Sequence, residues 1–357
     1  MYDNVGAMFY GVKDIKVEKV PTQNLGPEDI LVEMRTVGIC GTDIHYYLDG
    51  GVPGLGMLEQ PWVLGHEGSG IVLAKGPNVV GLEQGDHVVL DPNAKCQFCT
   101  ACINGRDNLC TDSVRYYLDP FRGFFEKYHV HRYRYAYKLP KGTPADEAAV
   151  IEPVACAIHA IQRGDVRPGC TVLITGAGPI GLLHLLAARV YGATRVIMTD
   201  IDSERLEFAK QLGADEGYLI AKGATPKAIG DQIYKSVDKS GFKGVDITFD
   251  CSGAPFSLQL AAFATKEGGR LVLTGLSGTQ NAEIPVNVFT VKEIDIYGMI
   301  RYRSACFREA IEMVCSRRID VRPLISHRFP LSEITTAFQQ LTSRNERMIK
   351  VLIDCSK

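Results

Sequence analysis

The chain has 357 residues, of which 46% are hydrophobic and 22% are charged, values that are typical of a globular protein. That length is sufficient for two domains and a large buried core. The formal net charge of −2 provides no basic field that could hold a phosphate backbone. These numbers therefore argue against nucleic acid as a partner.

Neither the N-terminal residues nor the longest uncharged stretch favours export or membrane insertion. Residues 1–6 show no basic segment followed by an apolar core, so we expect no secretory signal. Residues 170–188 are nearly uncharged, but their glycines and proline favour a buried strand, turn and helix over a membrane span. The sequence therefore predicts a cytoplasmic protein with no membrane partner.

The first part of the chain shows closely spaced β-strand patterns and no strong helix. Within residues 8–89 the clearest strand candidates are Ile30–Thr36, Gly70–Leu73 and His87–Leu90, and two more strands are expected within residues 123–139. Such spacing is typical of a small β-barrel or sandwich. Functional residues would then lie on its loops.

From about Ala145 the pattern becomes helical up to Ile161, and we expect a domain junction there. Strands and helices then alternate, which predicts a doubly wound parallel sheet with the strand candidates Thr171–Thr175, Arg195–Thr199, Gly217–Ile220, Val245–Cys251, Arg270–Gly275 and Ile294–Met299. A helix over 306–316 and a strand over 350–354 would return to the β-unit. The predicted α/β organisation is a first domain of residues 1–156 and 298–357 and a second domain of residues 157–297.

Three residue types that zinc prefers occur beside glycine-rich turns. Cys40, the adjacent pair His66 and Glu67, and the later Glu152 provide a thiolate, an imidazole and carboxylates. A catalytic zinc takes three protein ligands and leaves one position open. We therefore predict a catalytic zinc site, in which Cys156, one helical turn from Glu152, is the competing ligand. The alternative is a set of unliganded core or loop residues.

Four further cysteines are clustered within fifteen residues: Cys96, Cys99, Cys102 and Cys110. Thiolates packed this closely repel one another unless a cation neutralises them, and a tetrahedral zinc would also tie down the loop. The spacing thus predicts a closed structural zinc site. A pair of disulfides is the alternative, which a reducing compartment disfavours.

A dinucleotide-binding fingerprint follows the first predicted strand of the second domain. Gly176, Gly178 and Gly181 would allow a tight turn, close approach to a pyrophosphate and close packing of helix on strand, and Pro179 and Ile180 complete the motif. Asp200 ends the next strand and would accept hydrogen bonds from the adenosine ribose, which favours NAD over NADP. Arg205, one turn into the following helix, is the feature that would suit NADP.

Together, the ligand set, the four-cysteine loop and the fingerprint resemble the zinc-dependent medium-chain dehydrogenases along essentially the whole chain. Residues 38–47, 64–67, 151–153 and 300–302 are most similar to the sorbitol and xylitol dehydrogenases. The resemblance implies a GroES-like catalytic domain, a Rossmann domain, one catalytic and one structural zinc ion, NAD, and a homo-oligomer, either a dimer or a tetramer. The implied reaction is reversible oxidation of a secondary alcohol of a polyol to the ketose.

The resemblance also implies roles for particular residues. In those enzymes the residues that match Cys40, His66 and Glu67 lie at the zinc, and the residue that matches Glu152 binds it directly or through water. The residues that match Tyr46, Arg301 and Tyr302 contact polyol hydroxyls. Arg301 is also a candidate for contact with the cofactor, and its alternative is a structural salt bridge. Residues 115–122, Arg115 to Arg122, do not match the loop that those enzymes carry.

A zinc at Cys40 and His66 would lower the pKa of a bound substrate hydroxyl, and the released proton needs a route to solvent. Thr42 is the candidate for the first hydroxyl and His45 for the relay, with Glu152 a third catalytic candidate. The alternative for Thr42 and His45 is an ordinary loop hydrogen bond or an exposed polar residue.

Rival interpretations remain within and outside this class. Threonine, butanediol and cyclitol dehydrogenases share the Cys40 segment and the His66–Glu67 pair. A catalytically inactive, zinc-stabilised binding protein would keep the fold without turnover. A zinc-free quinone reductase of similar fold would need neither Cys40 nor the four-cysteine loop.

Overall fold

The computed structural model describes residues 2–52, 56–57, 59–116, 122–239, 241–277, 281–343 and 348–357. The chain divides into two compact units, Met1–Pro153 with Arg303–Lys357, and Val154–Tyr302. The first unit is therefore assembled from both ends of the chain and the second from its middle. Of residues 115–122, which depart from the polyol dehydrogenases, 117–121 lie outside the described part.

Strands dominate the N-terminal portion of the first unit. In chain order its elements are β1 (Val5–Gly11), β2 (Asp14–Lys19), β3 (Asp29–Gly38), α1 (Gly41–Asp49), β4 (Gly51–Val52), β5 (Gly56–Met57), β6 (Trp62–Val63), β7 (Glu67–Lys75), β8 (His87–Leu90), β9 (Asn93–Ala94), α2 (Thr100–Ile103), β10 (Val114–Arg115), β11 (Tyr128–Arg132), β12 (Ala136–Lys138) and α3 (Ala145–Ala149). Short 3-10 turns cover Asp107–Leu109 and Tyr133–Tyr135.

Helix α4 (Ile151–Gly164) leads into the second unit, where strands and helices alternate. Its elements are β13 (Thr171–Thr175), α5 (Pro179–Val190), β14 (Arg195–Asp200), α6 (Ser203–Gln211), β15 (Glu216–Leu219), α7 (Pro226–Ser236), β16 (Asp238–Lys239), β17 (Phe242–Lys243), β18 (Val245–Asp250), α8 (Pro255–Ala264), β19 (Thr265–Leu273), α9 (Val286–Lys292) and β20 (Asp295–Gly298). The chain then returns to the first unit through α10 (Ser304–Cys315), β21 (Ile325–Pro330), α11 (Ile334–Ser343) and β22 (Lys350–Asp354), with 3-10 turns at Arg322–Leu324 and Leu331–Glu333.

The main sheet of the first unit is built around β3. Its strand order is β12-β8-β7-β3-β22-β21, and β11 also pairs with β3. Strand β3 runs antiparallel to β7, with Gly38 opposite Glu67, and antiparallel to the C-terminal strand β22, with Leu352 opposite Gly38. The last strand therefore completes the sheet, and the loop after β3 lies beside the start of β7.

The sheet of the second unit is parallel, with the order β15-β14-β13-β18-β19-β20. All five residues of β13 are buried, as expected for a strand covered on both faces by helices. Thr175 lies opposite Thr199 on one side and Asp250 on the other, so the carboxyl ends of the three central strands meet at one edge. Ligands bind beyond this edge in doubly wound sheets. The predicted fold class is confirmed.

The prediction that the region before residue 89 contains no strong helix is wrong. Residues 41–49 form α1, whose start is fixed by an interaction that hydrophobic periodicity does not reveal. Cys40 is the N-cap, and the side chain of Asp43 accepts a hydrogen bond from the Cys40 N–H at 3.0 Å. Thr42 and His45 therefore lie on a helix and not on a loop.

The single helix predicted over 145–161 is two helices, α3 and α4. Pro153 lies in the first turn of α4 and has no N–H to donate to the carbonyl of Ala149, so a continuous helix would lose that bond. The break places Glu152 in a helix N-terminal turn. In the described residues, no helix combines the length and the apolar character that crossing a bilayer requires.

A buried histidine in the second unit makes the stability of the protein depend on pH. His184 on α5 is fully buried; its Nδ1 lies 2.7 Å from the carbonyl oxygen of Ile180, and its Nε2 lies 3.4 Å from the Thr274 hydroxyl. Burial lowers the pKa of His184 to about 4 from the ordinary 6.5. The ring is therefore neutral in the native state at pH 7.

We expect the free energy of unfolding to fall as the pH is lowered from 6.5 toward 4, because the unfolded chain binds a proton that native His184 resists. The shift corresponds to roughly 3 kcal/mol. The slope of this free energy against pH, measured by urea denaturation across that range, gives the number of protons taken up on unfolding. In His184→Gln that number should decrease by about one. His45→Gln is the control, because the half-buried His45 ring reaches solvent; an equal change of slope in both variants would contradict the assignment.

Candidate metal and cofactor sites

Strand pairing brings the predicted catalytic zinc ligands together. Cys40 lies two residues after β3, and His66 and Glu67 lie where the paired strand β7 begins. One donor atom from each of the three side chains lies within 4.8 Å of the other two. His66 and Glu67 are buried, with 6% and 1% of their surface exposed. Sulfur, nitrogen and oxygen donors that converge in a buried place fit a zinc ion.

Asp43 connects the two loops that carry these donors. Its carboxylate accepts hydrogen bonds from the Cys40 N–H at 3.0 Å and from the Gly65 N–H at 3.3 Å, and it lies 3.6 Å from His66 Nδ1. Gly65 has a φ of +91°, and a Cβ there would meet the ring of Phe125 at 2.8 Å, so only glycine fits. Asp43 thus holds the backbone beside both donors, and its carboxylate lies close to the imidazole, where carboxylates commonly support metal-binding histidines.

The electrostatics of the site favour a cation. Burial lowers the pKa of His66, but attraction to Asp43 and Cys40 outweighs it and the pKa is raised well above its usual range. Burial raises the pKa of Glu152 to about 8; attraction to His66 lowers it and repulsion from Glu67 raises it. Binding of a metal must therefore displace the proton from His66, so affinity falls as the pH is lowered.

Lys350, a buried lysine at the start of β22, also contacts this group and was not predicted from the sequence. Its Nζ contacts Glu67 Oε2 and donates to the carbonyl oxygen of Ile39 at 2.9 Å. Burial lowers the pKa of Lys350, but attraction to Glu67 and Cys40 outweighs it, so the pKa is raised and the ammonium stays charged. The signal in the sequence is a lysine at the head of a strand whose next three residues are apolar.

The other catalytic candidates lie on α1 and α4. Glu152 is buried in the first turn of α4, but it is not in the set whose donor atoms converge with Cys40. Thr42 is half-buried on α1, and His45 Nδ1 lies 3.1 Å from the exposed Asp49 carboxylate. Tyr46 is buried in the core of the first unit.

The four-cysteine loop forms a second convergent group. The sulfur atoms of Cys96, Cys99, Cys102 and Cys110 lie within 4.8 Å of one another, and the Cys96 and Cys102 sulfurs are 3.9 Å apart. A tetrahedron with zinc–sulfur bonds of about 2.3 Å requires sulfurs about 3.8 Å apart. The backbone N–H groups of Cys96 and Cys99 donate to the sulfurs of Cys110 and Cys96. Each cysteine is free, so the disulfide alternative does not describe this structure.

The glycine-rich turn between β13 and α5 has the geometry of a dinucleotide site. Gly176 has a φ of +90°, and a Cβ on Gly181 would run into the Gly176 carbonyl oxygen. A Cβ on Gly178, the N-cap of α5, would meet nothing within 4 Å, so the helix N-terminus opens onto free space. Pro179 and Ile180 form the first turn of α5. Free N–H groups at such a helix start suit a pyrophosphate.

Asp200 ends β14 beside this turn. Its carboxylate accepts hydrogen bonds from the Ala177 N–H at 2.6 Å and the Asp202 N–H at 3.0 Å, which leaves lone pairs for ribose hydroxyls. Arg205 lies on α6 with its Nε 3.8 Å from the Asp202 carboxylate.

Arg301 and Tyr302 follow β20, and the backbone of Arg301 has an unusual conformation. Arg301 has a φ of +53°, in the left-handed region that non-glycine residues rarely adopt, and it is half-buried. Tyr302 is fully buried.

Comparison with known proteins gives the class of the protein. Residues 26–141 match the family described as the alcohol dehydrogenase GroES-like domain, and residues 179–316 match the zinc-binding dehydrogenase family. The chain is 36% identical over 354 residues to L-idonate 5-dehydrogenase of Vitis vinifera, covering 99% of this chain and 95% of that protein. It is 37% identical over 353 residues to sorbitol dehydrogenase of Rattus norvegicus, covering 99% and 96%.

Two solved structures are also similar over nearly their whole length. One is a zinc-binding dehydrogenase from Sinorhizobium meliloti bound to NADP, with a TM-score of 0.86, 28% identity and coverage of 99% of this chain and 100% of that chain. The other is an alcohol dehydrogenase from Escherichia coli complexed with NADH, with a TM-score of 0.87, 26% identity and coverage of 99% and 100%.

The chain belongs to the zinc-dependent medium-chain dehydrogenases and resembles their polyol dehydrogenase members. It is an oxidoreductase, and zinc and a nicotinamide dinucleotide are the cofactors that this family uses.

The two glycines of the nucleotide turn should respond differently to the same added methyl group. In Gly181→Ala the Cβ presses on the backbone of Gly176, and overpacking of this kind lowers the melting temperature by roughly 4 to 8 °C. In Gly178→Ala the fold is untouched, but the methyl group occupies the space before the helix N-terminus. We expect an unchanged melting temperature and weaker NADH binding, measured by scanning calorimetry and fluorescence titration. Equal melting temperatures for both variants would contradict this geometry.

Proposed function

We propose that the protein catalyses the reversible, NAD-dependent oxidation of a secondary hydroxyl of a polyol, of the sorbitol or xylitol type, to the ketose. The observation that carries this proposal is the convergence of Cys40, His66 and Glu67 donor atoms within 4.8 Å in a chain that also has a dinucleotide turn. The similarity to sorbitol and L-idonate dehydrogenases supports a polyhydroxylated substrate.

In this proposal Cys40, His66 and Glu67 hold a catalytic zinc, and Glu152 binds the zinc directly or through water. When bound, the metal supplies a Lewis acid that acidifies the substrate hydroxyl, and NAD supplies the hydride acceptor. Cys96, Cys99, Cys102 and Cys110 hold a structural zinc that ties down their loop. Lys350 balances part of the negative charge that the thiolate and carboxylate bring into the site.

The proton of the substrate hydroxyl needs a path through groups of this chain. We assign Thr42 Oγ1 as the first acceptor and the His45 imidazole as the relay, because both lie on α1 directly after the Cys40 N-cap. His45 Nδ1 faces the exposed Asp49 carboxylate, which gives the proton an exit to solvent.

Tyr46, Arg301 and Tyr302 are the residues that we propose for substrate recognition. A guanidinium can donate to neighbouring hydroxyls of a polyol, a contact that a simple alkyl alcohol would not need. The left-handed backbone at Arg301 supports this role, because strained residues cluster at functional sites. Arg301 also stays a candidate for contact with the cofactor.

Asp200 favours NAD. Its buried carboxylate would bond the two ribose hydroxyls and repel a 2′-phosphate, whereas Arg205 is held near Asp202. Gly176, Gly178, Pro179, Ile180 and Gly181 complete the proposed cofactor site.

We also propose that the protein is a homo-oligomer, either a dimer or a tetramer. The edge strand β20 and the neighbouring α9 expose large apolar side chains, among them Val286 at 60%, Val291 at 82% and Ile296 at 44% exposure. An exposed apolar sheet edge favours association with another chain.

The function is tested by following NAD reduction with sorbitol, xylitol, threonine, butanediol and myo-inositol. We expect the highest kcat/KM with sorbitol or xylitol. In Cys40→Ser, loss of the metal should lower kcat/KM by at least about 10³-fold, since metal assistance contributes several kcal/mol. NADH binding should remain, and metal analysis should find one zinc fewer than in the wild type.

The matched control is Cys156→Ser, which removes a thiol near Glu152 that lies outside the convergent group; it should keep its zinc and its activity. Oxidation of threonine alone would refute the polyol assignment, and near-normal activity of Cys40→Ser would refute the zinc mechanism.

Replacing Asp200 by serine should shift the preference of the enzyme toward NADP. The change removes the charge that repels the 2′-phosphate. The ratio of kcat/KM for NAD to that for NADP measures the preference. It should change by about tenfold or more, the effect expected for one charged hydrogen-bonding group. Asp231→Ser, which removes an equal charge from the surface of α7, controls for net charge. An unchanged ratio in Asp200→Ser would exclude the assigned role.

A further inference from the structure

The four-cysteine loop is bonded to a distant part of the first unit through one carboxylate. Asp107 lies between Cys102 and Cys110, and its Oδ2 accepts hydrogen bonds from the Ser304 N–H at 3.0 Å and from the Ser304 hydroxyl at 2.5 Å. The two residues are 197 positions apart in the chain. Because Ser304 is the first residue of α10, Asp107 binds the N-terminus of that helix.

Helix α10 needs this carboxylate because it has no local cap. Its N-cap residue is Arg303, whose side chain contains no hydrogen-bond acceptor. Asp107 therefore supplies from another segment what a serine or aspartate N-cap usually supplies in sequence. Its negative charge also suits the positive end of the helix dipole.

The residues immediately before this helix are the candidate substrate contacts. Arg301 holds a left-handed backbone, a conformation that is unfavourable for a non-glycine residue and persists only where the surroundings enforce it. Tyr302 is fully buried, and Ser304 is fixed by Asp107. The segment 301–303 is thus held by the buried Tyr302 within it and by Ser304 directly after it.

We propose that Asp107 is a positioning residue for substrate binding: the four-cysteine loop, through Asp107 and Ser304, holds the Arg301–Arg303 segment in the conformation that recognises the polyol. This inference rests on the proposed function, because it takes Arg301 and Tyr302 as contacts of the substrate and does not take Arg301 as a contact of the cofactor. It gives the four-cysteine loop a role in substrate affinity in addition to its own folding.

Asp107→Ala tests the proposal in the zinc-loaded, full-length protein. Loss of a charged, partly buried hydrogen-bonding group should raise KM for the polyol about tenfold. The KM for NAD should change less than about twofold, a limit set by ordinary scatter of uninvolved positions. Ser304→Ala, which keeps the backbone N–H and removes only the hydroxyl, should give a smaller rise in the same direction. Metal analysis should show the same zinc content as the wild type.

The matched control is Asp112→Ala, which removes an exposed carboxylate two residues after Cys110. It should leave both KM values unchanged. Hydrogen exchange of the backbone over residues 300–308, followed by mass spectrometry, provides a readout independent of turnover. Exchange there should become faster in Asp107→Ala and stay at the wild-type rate in Asp112→Ala.

An unchanged polyol KM in Asp107→Ala would overturn the proposal, even if the melting temperature fell or exchange became faster, because the contact would then be merely structural. A parallel rise of both KM values would overturn it as well. Failure of the proposed function looks different: the wild type would oxidise no polyol. In that case the same comparison of KM values is made with whichever alcohol of the panel the wild type oxidises.

Discussion

The pairing of β3 with β7 is the constraint on which the candidate metal site depends. Gly38 opposite Glu67 places the end of one strand beside the start of the other, so Cys40 and His66 meet although 26 positions separate them in the chain. Asp43 then fixes both loops through the N–H groups of Cys40 and Gly65. A shift of one residue in this register would turn Glu67 to the other face of the sheet.

The buried charges around this pairing explain why the C-terminal strand belongs to the same unit. Strand β22 pairs with β3 and brings Lys350 to Glu67 and to the Ile39 carbonyl. Removing one partner of a buried ion pair costs about 3 to 5 kcal/mol, because the other charge is left uncompensated. Gly38 leaves the space that this pair occupies, since a Cβ there would meet Glu67 and Lys350. The first and last segments of the unit are thus joined at the site itself.

Sequence reasoning succeeded where the information is local. The four cysteines, the Gly176–Gly181 turn and the buried strands are each contiguous, and their positions in the fold follow from spacing alone. It failed where partners are distant or where side chains compete with periodicity. Helix α1 was missed because its start depends on Asp43, and the break between α3 and α4 because Pro153 acts on Ala149. Lys350 and the bond from Asp107 to Ser304 could not be predicted, because no pattern within either segment indicates its partner.

The two convergent groups differ in how far apart their donors lie along the chain, and this difference implies an order of assembly. The four thiols fall within one short loop, which closes at little entropic cost before the rest of the chain is ordered. The donors Cys40, His66 and Glu67 converge only after β3 and β7 have paired, and Lys350 joins them only once the C-terminal strand has been made. During synthesis the cysteine loop can therefore bind metal before Lys350, the positive charge that accompanies the other group, has been added to the chain.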